Sequence, residues 1–491
     1  MKDINLLTKS QKISFLVKDS SIYGLAMAIS KSSSLLLLPI LSYHFSPEEY
    51  GLIDYFQVIL QTLVLITVFG IESSVARFFY DSDKLKEKKE LVSQALLLQV
   101  LYIVLFFVFV LIFSNRINLY LETLTNSSSI IILIYCLVPF MVLTNFCSSI
   151  LKWSFNQSSF LILSLGVTLI NFILISIGLY LKDLSIEDFF LLSLVVYIVF
   201  SFIGVFFIKK WLIIPKKIYW FKTLFNYGLP LAFVSIFSIL TPFFERTIII
   251  QNLESYSLAN FAIAAKFGIV FSTLISAFQT SWGPFSLAIY KSKKAIDTYN
   301  FILKSFAFLL SLMLLINAWL LPHLVKAIFS YQYKMDSLLL IIILLGLGIQ
   351  GIGWILEIGI TFSKKTIYNL YNYISSFSFG ITVMYFLIEP LGIYGIAIGT
   401  TSGLMIKAIL GYIFSQKVYP LAWNIFPTLK IFLTTIILIA VCVILQYQFN
   451  FNINYCFIIS IFILLFFGRS IVFEKEERGI IYNWIKSKIR I

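Results

Sequence analysis

Fourteen windows of this sequence are apolar for long enough to cross a lipid bilayer, and that pattern decides what the chain can fold into. A hydrocarbon core of about 30 Å takes about 20 helical residues. Windows of that order run over 20–43, 52–79, 91–113, 129–151, 158–181, 188–208 and 226–251, then over 256–289, 301–321, 337–361, 368–388, 393–415, 428–448 and 453–473. No water reaches the bilayer core, so the backbone groups of each crossing must pair within a helix or around a closed barrel. Barrel strands alternate apolar and polar residues, whereas these runs are continuous, so the crossings are helices. Composition agrees: 12% of the residues are charged, against about 25% in a soluble domain. The expected fold is an all-α polytopic membrane protein of about 14 transmembrane helices.

An even number of crossings puts both termini on one side, and lysine and arginine say which. Alternate loops carry Lys84, Lys86, Lys88 and Lys89, then Lys152, then Lys209, Lys210, Lys216, Lys217 and Lys222, then Lys291, Lys293 and Lys294, then Lys364 and Lys365, then Lys417. The opposite loops hold only Arg116, Lys182, Lys326 and Lys334. Basic loops stay inside, so both termini are expected in the cytoplasm. The net charge of +14 follows from that bias and from attraction to anionic membrane lipids, so no nucleic-acid partner is implied. The segment 1–21 is too polar for a cleavable signal peptide and reads as a cytoplasmic lead-in. The closing stretch EKEERGIIYNWIKSKIRI reads as a surface-lying helix or as a tail with no function of its own. Cys136, Cys147, Cys442 and Cys456 lie in apolar segments at unrelated spacings, and His44 and His323 stand alone, so neither a disulfide framework nor a metal site is suggested.

An internal repeat organises the first twelve windows. Glu48-Glu-Tyr-Gly-Leu-Ile-Asp-Tyr55 opens the second and returns, 206 residues on, as Glu254-Ser-Tyr-Ser-Leu-Ala-Asn-Phe261 at the start of the eighth. At nearly the same shift Ser154-Phe155 matches Thr361-Phe362. An even number of crossings separates the copies, so the halves share an orientation and are related by an axis along the membrane normal. The expected organisation is an N-terminal lobe over 1–215, a C-terminal lobe over 216–422, and a further helix pair with a basic tail over 423–491. The two six-helix lobes would face each other as pseudo-twofold mates.

Charges inside the apolar windows need a reason. A charged side chain at mid-bilayer costs at least about 2.5–3.5 kcal/mol, so it usually faces a polar cavity or a partner. Glu245 and Arg246 stand side by side in the seventh window and Lys266 in the eighth. For Glu245 and Arg246, a functional cavity and a structural ion pair are both open.

Several stretches together resemble a known family. They are Pro47-Glu-Glu-Tyr-Gly-Leu52, Gly228-Leu-Pro-Leu231, Glu245-Arg246, the series Tyr256, Ala265-Lys266, Ser276-Ala277-Phe278 and Trp282-Gly-Pro-Phe285, and Pro390-Leu-Gly-Ile-Tyr-Gly-Ile-Ala397. In this order they are similar to the polysaccharide transporter family, a branch of the multidrug/oligosaccharidyl-lipid/polysaccharide exporter superfamily, over about residues 20–473. Family members often carry Asp-Arg where this chain has Glu245-Arg246, and the charge pattern survives that change. The resemblance implies a MATE-like fold. It also implies a flippase that moves undecaprenyl-pyrophosphate-linked oligosaccharide repeat units to the outer leaflet of the bacterial cytoplasmic membrane by alternating access, for O-antigen or capsule synthesis. A polysaccharide polymerase and a chain-length regulator would then be partners, and the flippase would act as a monomer, without catalysis.

Such a cargo has two phosphates, a polar sugar and a long apolar tail, and calls for a cationic cavity. Lys31, Arg77, Arg246, Lys266 and Lys407 lie in the first, second, seventh, eighth and twelfth windows, and are the candidate substrate contacts. Both side-chain types donate charge-assisted hydrogen bonds to phosphate, arginine bidentately. Arg77 sits near a helix end, where reaching to the interface is the competing role. Lys407 continues the small-residue series Gly395, Gly399, Gly403. Glu245, Glu72 and Glu357 are the candidate ion-coupling residues, since a desolvated carboxylate can bind H+ or Na+ within a transport cycle. Glu245 has the competing role of neutralising Arg246, and Glu357 that of a hydrated group at a helix end. No cofactor is expected.

Other motifs carry no chemistry. Gly346-Leu-Gly-Ile-Gln-Gly351 fits a dinucleotide fingerprint but lies inside a membrane window with no preceding strand. Gly395, Gly399 and Gly403 form the spacing that lets helices pack closely. The long outer loops around 114–128 and 322–336 hold little that could catalyse, which argues against a membrane glycosyltransferase or polymerase. A peptidoglycan lipid-precursor flippase and an ion-coupled multidrug exporter of the same superfamily remain the alternatives.

Overall fold

The computed structural model describes residues 36–79, 84–125, 128–181, 184–215, 217–290, 295–333, 336–363, 365, 367–449 and 453–468. All regular structure among them is helical. Residues 36–44 form the described part of α1. There follow α2 (Pro47–Val68), α3 (Ile71–Phe78), α4 (Leu85–Thr125), α5 (Ser128–Trp153), α6 (Gln157–Leu181), α7 (Ile186–Ile208), α8 (Trp220–Asn252) and α9 (Ser255–Ile289). The remainder is α10 (Ala295–Ile328), α11 (Ser337–Leu356), α12 (Ile358–Ser363), α13 (Ile367–Leu391), α14 (Ile393–Val418), α15 (Phe426–Phe449) and α16 (Ile453–Ile463), which continues into a π turn over Leu464–Gly468. Eleven of the described helices are long and apolar enough to cross a membrane, so the chain is a multi-pass membrane protein. The first expected crossing, 20–43, lies mostly outside the described residues. The 256–289 window forms α9 and the 453–473 window begins with α16.

Two expected crossings are interrupted. The 52–79 window breaks at Phe69 (φ 45°) and Gly70 (φ 73°), which end α2 before α3 begins. A side chain at Gly70 would meet the carbonyl of Gly228 on α8, so both the left-handed backbone and the close approach call for glycine. The 337–361 window breaks at Glu357, which caps α11 before α12 begins.

The chain divides into two compact units, Met1–Ala259 and Asn260–Ile491. In the first, Ile71, Val75, Leu91, Val92, Phe146, Leu163 and Val196 form a buried core. The repeated Glu-x-Tyr motif begins with a capping box: Ser46 Oγ accepts from the Glu49 amide at 3.2 Å while the Ser46 amide donates to Glu49 Oε2 at 2.9 Å. Two orphan amides of α2 are thereby satisfied, and Pro47 presets the first turn. The segment between α7 and α8 is pinned to α4 by fully buried Gln94. Its Nε2 donates to the Lys217 carbonyl at 2.9 Å, and its Oε1 accepts from the amides of Tyr219 and Trp220 at 3.1 and 2.9 Å.

In the second unit, α14 packs along α13 through the glycine series seen in the sequence. A Cβ added at Gly403 would lie 2.7 Å from the Ser376 carbonyl oxygen, and one at Gly399 would lie 2.9 Å from that of Gly380. Backbone therefore touches backbone along this seam, which is what the small-residue spacing permits. Ser376 Oγ donates across it to the Gly403 carbonyl at 2.8 Å. On its other side α14 meets α11, where Thr401 donates to the Ile342 carbonyl. The Gly346–Gly351 stretch lies inside α11, a helix interior with no nucleotide fold around it.

Candidate functional site

The first unit buries a three-residue charge cluster between α2 and α8. Arg246 Nε donates to Asp54 Oδ2 at 3.2 Å, and its Nη1 donates to Glu245 Oε2 at 2.6 Å. All three side chains are at most 7% exposed. Arginine suits this place because its planar fork keeps its charge and serves two carboxylates from different edges. Next to the cluster the Tyr55 hydroxyl lies 3.4 Å from Thr247 Oγ1, so two successive positions of each helix join α2 to α8. Tyr50, one turn before Asp54 and fully buried, lies within electrostatic range of both Asp54 and Arg246. Among the described residues one cation stands against two carboxylates.

Sequence reasoning paired Glu245 with Arg246 and missed Asp54. The signal was available, because Asp54 is the acidic residue of the repeated Glu-x-Tyr-x-Leu-x-Asp/Asn motif and lies inside an apolar window. The second copy carries Asn260 there, so the ion pair belongs to one half only.

The other expected residues occupy separate places. Glu72 is half-buried at the start of α3; the Ser149 hydroxyl donates to its Oε2 at 2.9 Å, and Lys152 acts on it electrostatically. Arg77, at the end of α3, is exposed, with its guanidinium carbon 5.7 Å from the centroid of the Phe78 ring. Lys266 is half-buried on α9 in the second unit. Lys31 lies outside the described residues.

A second polar cluster lies within the second unit, where α13, α14 and the α11–α12 break meet. Lys407 is 4% exposed, and its Nζ stands 3.7 Å from the centroid of the Tyr373 ring. Among the described residues Nζ has no hydrogen-bond partner. Glu357 occupies the break and acts on Lys407 across a gap, without a direct ion pair. Asn372 is wholly buried, and neither its Oδ1 nor its Nδ2 is hydrogen-bonded among the described residues. Buried polar groups are ordinarily paired, so sequence reasoning brought two of these residues forward and missed the third, whose ordinary character gave no signal.

These helices and their buried ionised groups define a multi-pass helical membrane protein that holds charge inside its membrane-spanning segments. The polysaccharide biosynthesis protein family matches residues 16–290, more than half of the chain, and the chain belongs to that family. Its fold is shared by solved structures of membrane carriers. A structure of the lipid II flippase MurJ in an inward closed conformation is 20% identical, with a TM-score of 0.69 over 95% of this chain and 100% of that one. An outward-facing multidrug resistance MATE family transporter of the MOP superfamily is 16% identical, with a TM-score of 0.56 over 82% of this chain and 94% of that one. A variant of the MATE transporter VcmN from Vibrio cholerae is 14% identical, with a TM-score of 0.54 over 82% and 95%. At these identities the likeness is one of fold. The names of the three are those of a flippase and of transporters, not of enzymes. No curated protein sequence matches the chain.

Proposed function

We propose that this protein is a flippase for undecaprenyl-pyrophosphate-linked oligosaccharide repeat units, carrying them from the inner to the outer leaflet of a bacterial cytoplasmic membrane for O-antigen or capsule synthesis. The observation that carries the reading is the match of residues 16–290 to the polysaccharide biosynthesis family on a chain that shares the fold of a lipid II flippase over 95% of its length. Lys31, Arg77 and Lys266 are the head-group contacts in this reading, since ammonium and guanidinium groups suit a pyrophosphate. Arg246 has a different task. Its Nε and Nη1 are engaged by Asp54 and Glu245, so its role is to hold α8 on α2 while the carrier changes conformation. Transport by alternating access, both termini in the cytoplasm, and a polymerase and chain-length regulator acting on the product belong to the same proposal.

A second reading, flipping of a peptidoglycan lipid precursor, is favoured by the TM-score of 0.69 to the lipid II flippase. The test is complementation in two strains. One lacks its oligosaccharide flippase and carries the matching sugar-assembly enzymes; the other depends on a conditional lipid II flippase. Surface polysaccharide restored in the first strain, and lost with Lys266→Ala at equal membrane level, supports the proposal. Growth rescued only in the second strain replaces it with the precursor reading. Rescue of neither, with drug resistance gained, moves the protein to the exporters.

A further inference from the structure

Three carboxylates inside the apolar windows were candidates for ion coupling, and the structure treats them differently. Glu245 Oε2 is held by Arg246 at 2.6 Å, and Glu72 Oε2 is held by the Ser149 hydroxyl at 2.9 Å. Among the described residues Glu357 has no such clamp. It stands at the one-residue interruption between α11 and α12, its own amide still bonded to the Gly353 carbonyl at 2.9 Å, and ionisable residues within membrane helices are where carriers place proton and ion relays. Its counter-charge, Lys407, is 4% exposed and makes neither an ion pair with it nor any hydrogen bond among the described residues. Asn372, 0% exposed, has both polar atoms of its side chain without a hydrogen bond among the described residues.

The three converge on one stretch of α14. A Cβ placed on Gly411 would lie 3.1 Å from Glu357 Oε2 and 3.1 Å from Asn372 Nδ2, so glycine there lets a carboxylate and a carboxamide share one niche. Lys407 is one helical turn before Gly411 and projects from the same face. From α13 the Tyr373 ring supports the ammonium at 3.7 Å. The titratable groups brought to Glu357 are thus Lys407 and, beneath its ammonium, Tyr373.

We propose that Glu357, Asn372 and Lys407 form a buried proton-binding site in which Glu357 takes up one proton from water during the transport cycle. The coupling role rests on the flippase reading; the proton site itself does not. In the step, an O–H bond forms between a proton delivered by hydronium and a Glu357 oxygen, water is released, and Lys407 remains an ammonium. The site passes from net zero to net +1. Asn372 suits both states, because its Nδ2 donates to a carboxylate and its Oδ1 accepts from a carboxyl O–H. A sodium ion is the poorer guest: it needs several oxygen ligands, and here it would face a buried ammonium. A small anion would face the carboxylate. Adding charge beside the backbone-to-backbone α13–α14 seam gives the cycle a point at which protonation changes helix packing.

The test is infrared difference spectroscopy on the purified full-length protein in lipid nanodiscs, with pH stepped in sodium-free buffer and the carboxyl C=O band identified by its shift in D2O. The expected result is one carboxyl band that titrates in the wild type, is lost in Glu357→Gln, is shifted in frequency in Glu357→Asp, and has its midpoint displaced by about one pH unit in Lys407→Met. A spectrum unchanged by Glu357→Gln would overturn the proposal. So would a band that follows sodium concentration at fixed pH, or an unmoved midpoint in Lys407→Met. In vesicles, Glu357→Gln should abolish acceleration of glycolipid transport by an imposed pH gradient, and acceleration that persists would overturn the coupling role. The spectroscopy needs no lipid-linked glycan, so a wild type that transports none would count against the proposed function alone.

Discussion

Arg246 on α8 reaches Asp54 on α2 through its Nε at 3.2 Å, across 192 positions of sequence. The contact ties the second copy's first long helix to the opening helix of the repeat motif, inside one compact unit. Breaking one partner of a buried charge pair typically costs about 3–5 kcal/mol, because the other charge is left without compensation. Arg246→Met removes the cation that both carboxylates bond, whereas Asp54→Asn keeps the Glu245–Arg246 pair. Arg246→Met should therefore lower the unfolding midpoint in detergent far more than Asp54→Asn. Equal midpoints for the two variants would remove the cluster from the account of stability.

The linker clamp offers a second measurement. Gln94→Ala removes three hydrogen bonds to residues 217–220, each worth about 0.5–1.5 kcal/mol net. The exposed Lys217 should then be cut by trypsin about tenfold faster in vesicles open on that side. A cleavage rate equal to the wild type would mean that other contacts hold the segment.

The glycine seam makes a third. At Gly403 the obstacle is the Ser376 carbonyl 2.7 Å from the would-be Cβ, and backbone cannot swing aside as a side chain can. Gly403→Val should cost about 1–3 kcal/mol by overpacking and reduce the monodisperse fraction after solubilisation. Gly403→Ala should fall between valine and wild type, and a valine variant as stable as the wild type would contradict the close packing.

Lys266 carries the fourth. As a head-group contact it contributes a charge-assisted hydrogen bond of about 1.5–3 kcal/mol, so Lys266→Ala should lower glycolipid transport by about tenfold or more, with Lys266→Arg retaining most of it. Loss in both variants at normal membrane level would point to packing around the half-buried side chain in place of charge.

How far the chain could be read from its sequence differs by element. The crossings over 129–151, 158–181 and 188–208 match α5, α6 and α7 within a few residues, because continuous apolarity is a local property. The small-residue contact of α14 was legible for the same reason: spacing of four on one helix declares a flat face. The breaks at Phe69–Gly70 and at Glu357 were not legible, since each falls inside a window whose overall apolarity is long enough for a single crossing. Glu245 beside Arg246 was visible as adjacent letters, but Asp54 and Asn372 became part of a site only through neighbours from distant helices.

The sequence by itself determined that this chain crosses a membrane many times as helices, because about 20 apolar residues in hydrocarbon have no other way to satisfy their backbone. It also determined which charges would lie within those helices. Only the tertiary structure decided what each charge does. Whether a charge is clamped, like Arg246 by Asp54, or left to face its counter-charge across a gap, as Lys407 does Glu357, depends on side chains separated by tens to hundreds of positions. In a medium of low dielectric, a shift of an ångström or two between such groups changes their interaction by kilocalories, and no local pattern of letters encodes that distance.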